Sequence, residues 1–123
     1  MRVHLAEDSR LVRQRLREGI AEIDSMIQVT ESETAGEAIV RIEEESPDVV
    51  VLDLNLGKSS GLEVLKEMRR QKLEVTVLVF TNHAEEIYRK RCLAMGVAHF
   101  FDKLKDFEKL IETIGVCMKE RGR

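Results

Sequence analysis

The sequence predicts an α/β fold in which helices cover both faces of one parallel β-sheet. Short apolar runs alternate five times with longer segments whose apolar residues recur every three or four positions. Strands that alternate with helices in this way form a parallel sheet through right-handed crossovers. The run Val49–Leu52 is continuously apolar, which is typical of a strand buried under two helical layers.

The first half of the chain supplies two strand–helix units. We predict strand one at Arg2–Ala6, followed by a helix from near Ser9, and a weaker strand two at Met26–Thr30. The segment Thr34–Glu37 has the form of a capping box, in which a hydroxyl and a carboxylate bond free amides at a helix start. Helix two therefore begins there, and Pro47 separates it from strand three.

Strand three, the apolar run itself, is followed by a loop at Gly57–Gly61 and a second capping box at Ser60–Glu63. Helix three follows this box. Strand four is predicted at Val75–Thr81 because the segment is apolar and rich in β-branched residues. These elements continue the same alternation.

Helix four is predicted over Glu85–Met95, with Gly96 as its C-terminal cap. Strand five follows at Val97–Phe101, and Asp106 is predicted to cap helix five. Five strand–helix units within residues 1–123 predict a single domain with a flavodoxin-like doubly wound fold. Its five-stranded parallel sheet has the order 2-1-3-4-5. We expect no output domain within this chain.

Composition limits the class of function. The chain is 43% hydrophobic and 35% charged, which is typical of a soluble globular domain. Its net charge of −3 argues against nucleic-acid binding. Glu7 and Asp8 follow the start too closely for a signal peptide, and no stretch is long enough to span a membrane. We therefore expect a cytoplasmic protein, with Cys92 and Cys117 as reduced thiols.

Polar residues stand at or just after the carboxyl ends of four of the predicted strands. Open parallel sheets bind their ligands at these ends. Glu7 and Asp8 follow strand one, and Asp53 follows strand three. Thr81 ends strand four, and Lys103 follows strand five. Neighbouring carboxylates repel one another. Mg²⁺ relieves that repulsion because it binds carboxylate oxygens as ligands. The pair Glu7-Asp8 alone is equally consistent with a helix start, where acids suit the helix dipole.

Asp53 is the strongest single candidate because an acid directly after four aliphatic residues is costly to bury without a partner. A strand-end aspartate can act as a nucleophile toward phosphate. Thr81 and Lys103 are suited to bind two oxygens of a phosphoryl group on Asp53, because phosphoryl transfer depends on positioning and charge neutralisation.

The chain resembles the response-regulator receiver domains of two-component signalling, including the chemotaxis regulators. The segments Val50–Leu56 and Gly61–Leu65 are similar to the phosphoacceptor segment of that family. The remaining matches are an acidic pair, a hydroxyl residue, a lysine and a switch aromatic, here Glu7-Asp8, Thr81, Lys103 and Phe100. The match extends over essentially all 123 residues.

The resemblance implies that Asp53 accepts phosphate from a sensor histidine kinase, from a phosphotransfer protein or from a small phosphodonor. Asp8, Asp53 and the backbone carbonyl of Asn55 would ligate Mg²⁺ or Mn²⁺. Glu7 would contribute through water, and Lys103 would pair with the phosphoryl group.

It also implies that Thr81 moves toward the phosphoryl group and that Phe100 turns into the space this opens. The change would be passed on at the surface of helix four, strand five and helix five, to a downstream protein or a second copy of the chain. The protein would then be a signalling switch and not an enzyme, apart from its own phosphorylation and dephosphorylation.

The chain departs from the family pattern at four places. Glu7 replaces an aspartate, Gly57-Lys58 replaces Pro-Gly, and Asn82 occupies the place of a small residue. Leu104 replaces a proline that follows a cis peptide bond. A cis bond before leucine costs about 3–4 kcal/mol, which favours a trans bond there, but the sequence alone leaves the isomer open.

Two other functions are weighed. A Mg²⁺-dependent phosphatase of the haloacid dehalogenase type would need a second aspartate at the position of Asn55, and the chain has no room for a cap domain. A receiver-like scaffold that works without phosphate is compatible with Asn82 and Leu104, while the complete acid–threonine–lysine set disfavours it.

Overall fold

The computed structural model describes residues 1–121, so the last two residues of the predicted domain lie outside the described part. Five strands form the main sheet: β1 (Arg2–Ala6), β2 (Gln28–Ser32), β3 (Val49–Leu52), β4 (Thr76–Thr81) and β5 (His99–Asp102). Five helices connect or follow them: α1 (Arg10–Ile23), α2 (Ala35–Glu45), α3 (Gly61–Arg70), α4 (Glu86–Ala94) and α5 (Phe107–Arg121). Within residues 1–121, no helix combines the length and apolar content needed to cross a membrane.

The sheet is parallel throughout, with the order β2-β1-β3-β4-β5, as predicted. Its register pairs Ala6 with Leu52, Leu52 with Val79, and Thr81 with Asp102. The carboxyl ends of β1, β3, β4 and β5 therefore lie side by side, and the residues that follow them share one rim of the sheet.

Helices bury both faces of the sheet. On one face, Val50, Leu52 and Val79 belong to a core cluster with residues of α2, α3 and α4. On the other face, Val51 and Leu78 belong to a second cluster with residues of α1 and α5. All four residues of β3 are buried, which explains why its sequence is apolar without alternation.

The bounds of three strands differ from the prediction. β4 begins at Thr76, one residue later than predicted. β2 begins at Gln28 because the residues before it form a turn, in which Asp24 accepts hydrogen bonds from the backbone N–H groups of Met26 and Ile27. β5 begins two residues later than predicted and runs through Asp102. Helix α4 is one residue shorter at each end than predicted.

The segment after β3 contains a short antiparallel hairpin, where a loop was predicted. Asn55–Leu56 pairs with Ser59–Ser60 around Gly57, which has a φ of +65°. Ser60 then caps α3, and its hydroxyl accepts a hydrogen bond from the Leu62 N–H.

The other predicted caps differ in their partners. Thr34 caps α2 by accepting a hydrogen bond from the Glu37 N–H. Gly96 follows α4 with a φ of +90°, as expected for a residue after a helix end. Asp106 stands directly before α5, but its carboxylate accepts a hydrogen bond from the Asp102 N–H in the preceding loop.

Candidate phosphoacceptor site

Two of the predicted rim residues, Glu7 and Asp53, contact the ammonium of Lys103. Lys103 Nζ lies 2.7 Å from Asp53 Oδ2 and 2.5 Å from Glu7 Oε1. The two carboxylate residues are 4% and 2% exposed, respectively. Backbone hydrogen bonds hold these residues in position. The Asp53 N–H donates to the Ala6 carbonyl, and the Lys103 N–H donates to the Thr81 carbonyl.

Glu7, Asp8 and Asp53 form an acidic cluster that suits a divalent cation. One carboxylate oxygen from each residue lies within 4.8 Å of the others. Glu7 and Asp53 are buried, whereas Asp8 is exposed, so the cluster opens to solvent on one side. Hard oxygen ligands with room for water are what Mg²⁺ requires, and the donor set therefore fits this ion.

Burial and like charge govern the titration of Glu7. Its pKa is raised, first because burial penalises the carboxylate and then because Asp53 lies nearby. Hydrogen bonds from Lys103 and from the Ser9 N–H partly oppose that rise. For Lys103, burial lowers the pKa, but the hydrogen bonds to Asp53 and Glu7 outweigh burial and raise it. The ammonium is therefore stabilised by both acids.

Arg13 supports the acidic loop, a role that the sequence analysis missed. Its Nη1 donates to the Glu7 carbonyl over 2.8 Å, and its other nitrogens donate to Glu31 and Glu33. The guanidinium is buried and links the loop after β1 to the residues around the end of β2. Its spacing from Leu16 and Ile20, which are buried on α1, could have indicated its inward position.

The backbone around Asp53 is closely packed. The Asn55 N–H donates to Asp53 Oδ1 over 3.2 Å, which orients the carboxylate. The Gly61 N–H donates to the Leu54 carbonyl, and a Cβ at Gly61 would lie only 2.2 Å from the Asp53 carbonyl oxygen. Asn55 is thus held beside the acidic cluster, and its carbonyl as a metal ligand remains a prediction.

Thr81 and Phe100 occupy buried positions at the adjoining strands. Thr81 is fully buried, and its hydroxyl accepts a hydrogen bond from the His83 N–H over 3.1 Å. Phe100 pairs with Val79 in register and packs in the core cluster on the α2–α4 face. The roles of Thr81 in binding phosphate and of Phe100 as a switch remain predictions.

The loop after β5 delivers Lys103 through trans peptide bonds, since residues 1–121 contain no cis peptide. Asp102 Oδ1 accepts a hydrogen bond from the Leu104 N–H over 2.8 Å. The Leu104 side chain is 85% exposed. A side chain–backbone network therefore shapes the loop in which the family pattern has a proline.

The family comparison agrees with this arrangement. The model of the response regulator receiver domain matches residues 3–115, which includes every residue of the site. The chain belongs to the response regulator receiver domain family, whose members act in two-component signalling.

Individual relatives give the same class. The chain is 27% identical over 116 residues to the transcriptional regulatory protein DegU of Brevibacillus brevis, covering 94% of this chain and 49% of that protein. It is 26% identical over 114 residues to the response regulator GacA of Pseudomonas viridiflava, covering 93% and 53%. The chain thus spans about half the length of the curated relatives it matches.

Solved structures share the fold. A DNA-binding response regulator of the LuxR family from Staphylococcus aureus is 28% identical, with a TM-score of 0.84, covering 94% of this chain and 97% of that one. A CheY-like receiver domain protein from Methanospirillum hungatei is 20% identical, with a TM-score of 0.85 and coverages of 98% and 95%. The second likeness bears on the fold alone.

Proposed function

We propose that this receiver domain is a phosphorylation-dependent switch whose phosphoacceptor is Asp53. The observation that carries the proposal is the position of Lys103, whose ammonium bridges Asp53 and Glu7 inside a cluster of three carboxylates. A buried aspartate beside a cation, at the carboxyl edge of a parallel sheet, is equipped to accept a phosphoryl group.

The donor is the phosphohistidine of a sensor histidine kinase or phosphotransfer protein, or a small phosphodonor. An Asp53 carboxylate oxygen forms a bond to phosphorus while the bond from phosphorus to the imidazole nitrogen breaks, and that nitrogen keeps the electron pair. Lys103 neutralises charge on the phosphoryl oxygens. The Asn55 N–H orients the attacking carboxylate.

The same rim would hold the metal ion that this transfer uses. Glu7, Asp8, Asp53 and the carbonyl of Asn55 would hold Mg²⁺ or Mn²⁺, with Glu7 acting through water. When bound, the ion supplies positive charge against the transferring phosphoryl oxygens. Arg13 keeps the Glu7–Asp8 backbone in place for this purpose.

The output follows from Thr81 and Phe100. Thr81 exchanges its bond from the His83 N–H for one to the phosphoryl group, and Phe100 turns into the space that Thr81 leaves. The surface of α4, β5 and α5 changes shape and is recognised by a downstream protein or by a second copy of the chain. Relatives that are transcriptional regulators suggest that this signal controls transcription.

Acetyl phosphate with Mg²⁺ tests the proposal directly. Intact-mass spectrometry should show one added phosphoryl group. The variant Asp53→Asn should lack this group, and the control variant Asp24→Asn, which lies far from the site, should retain it. Candidate histidine kinases should transfer phosphate to the same residue. A wild-type mass that no phosphodonor changes would favour the phosphate-independent scaffold, and labelling of Asp53→Asn would place the acceptor elsewhere.

A further inference from the structure

A cleft lies near the amino end of β4, at the opposite end of the strands from Asp53. Its volume is about 260 Å³, and its walls come from the C-terminal part of α3, the segment leading into β4 and the end of α4. The apolar lining consists of Leu65, Met68, Leu73, Val75, Val77 and Met95. Val77 belongs to the first half of β4, whereas Thr81, on the phosphoacceptor rim, ends that strand. The cleft is therefore separate from the phosphoacceptor site.

Gly96 and two cations, Arg69 and Lys72, complete the lining of the cleft, which includes no carboxylate. Neither cation forms an ion pair within residues 1–121. Arg69 Nη1 donates to the Ala94 carbonyl over 2.8 Å, which ties the end of α3 to the end of α4. A guanidinium has five N–H donors in a planar fork, so further donors are left for a carboxylate.

The backbone at Lys72 adopts a conformation that favours glycine, although the residue is a lysine. The Lys72 N–H donates to the Arg69 carbonyl and the Leu73 N–H donates to the Met68 carbonyl, which together form a Schellman motif at the end of α3. Lys72 stands at the left-handed position of this motif with a φ of +55°, where glycine is normally favoured. The sequence thus keeps an ammonium at the cleft where a glycine would be less strained.

We propose that this cleft binds a small amphipathic carboxylate, with its apolar chain against the cleft wall and its carboxylate between Arg69 and Lys72. Six apolar side chains line the cleft and can contact a hydrocarbon chain, and its volume of about 260 Å³ matches a small molecule. The two unpaired cations select a carboxylate over an alcohol or an amine. This proposal does not depend on phosphorylation of Asp53.

Octanoate is a suitable probe, with octan-1-ol and octylamine as matched neutral and cationic controls. Methyl resonances of Leu65, Met68 and Met95 in NMR spectra should shift on addition of octanoate and saturate. Octylamine should leave them unchanged, and octan-1-ol should bind more weakly. Octanoate shifts scattered over the whole surface, or equal responses to all three probes, would overturn the proposal.

Lys72→Gly separates ligand binding from folding, because it removes the ammonium while relieving the backbone at a left-handed position. Its thermal unfolding midpoint should equal or exceed that of the wild type, while octanoate binds at least about tenfold more weakly, the scale of one charge-assisted hydrogen bond. Arg69→Gln should weaken binding similarly, and the distant Lys119→Gln should not. Unchanged octanoate affinity in both Lys72→Gly and Arg69→Gln would refute the site.

Discussion

Lys103 Nζ donates to Asp53 Oδ2 over 2.7 Å, although fifty residues separate the two along the chain. The same ammonium contacts Glu7, so one cation neutralises two buried carboxylates. A bound divalent ion would need the oxygens of these same acids. The metal-free protein therefore already contains a competitor for the proposed metal site.

This competition predicts that Lys103→Met binds Mg²⁺ more tightly than the wild type. Removing the ammonium leaves Glu7 and Asp53 uncompensated, so the attraction for a divalent ion rises, by about tenfold in affinity. Calorimetric titration of both proteins with Mg²⁺ measures the difference, and the exposed Lys105→Met serves as the control. Equal or weaker binding by Lys103→Met would show that the ammonium does not compete with the ion.

The neutral variant Glu7→Gln should be more stable than the wild type and should bind Mg²⁺ more weakly. Because burial raises the pKa of Glu7, its ionised form at pH 7 weakens the metal-free fold, and an amide of the same shape removes that cost. We expect the free energy of unfolding in EDTA to rise. Mg²⁺ affinity should fall about tenfold. Urea unfolding and Mg²⁺ titration measure the two effects, and a less stable Glu7→Gln would contradict the argument.

The parts of the site that the sequence predicted are those that follow from strand order. Asp53 and Lys103 come together because each follows a strand whose carboxyl end lies at the same rim, and alternation of strands and helices is visible in the sequence. Helical periodicity indicates that Arg13 faces inward, but it does not reveal that the guanidinium donates to the Glu7 carbonyl, and Arg13 was missed for that reason.

The position of β2 was predicted wrongly because its side chains are also explained only by tertiary contacts. β2 is an edge strand whose inward side chains include Thr30 and Ser32, so it lacks the apolar pattern that marks a strand. Both hydroxyls pair with the fully buried His4 of β1, each over 2.8 Å. Only the neighbouring strand shows why polar residues occur there.

The hydrogen bonds around His4 define the tautomer of its neutral ring. The Thr30 hydroxyl donates to Glu45, so it must accept from Nδ1–H of His4, and Nε2 accepts from the Ser32 hydroxyl. Burial is the main cause that lowers the pKa of His4 to about 4, and Arg41 adds to it, while Glu45 and Glu31 oppose it. The ring is therefore neutral in the folded protein above that pH.

His4 should make the protein less stable as the pH falls from about 6.5 to about 4. In this range the unfolded chain takes up a proton that the folded chain does not, so unfolding is favoured, by up to about 3 kcal/mol in total. Above pH 6.5 both states are neutral at this residue, and the stabilising effect of a neutral ring is complete.

The matched variant His4→Gln keeps a hydrogen-bonding side chain but does not titrate. Urea unfolding across pH 4 to pH 7 should show the wild type losing stability relative to His4→Gln as the pH falls. Glu7 acts in the opposite direction, since its raised pKa lets the folded state take up a proton first, but it is present in both proteins and cancels in their difference. Parallel stability curves would show that His4 is not the titrating group.

Gly61 connects the phosphoacceptor to the start of α3, and the contact tolerates no side chain. A Cβ at this position would lie 2.2 Å from the Asp53 carbonyl oxygen and 2.9 Å from the Leu54 Cα, and neither backbone atom can move without shifting Asp53. Gly61→Ala should therefore lower the free energy of unfolding by about 3 kcal/mol and slow phosphorylation. Gly36→Ala, in α2, meets nothing within 4 Å and should stabilise the fold by about 0.5–1 kcal/mol. Urea unfolding of the two variants measures this contrast, and equal stabilities would mean that the backbone at Asp53 yields to a methyl group.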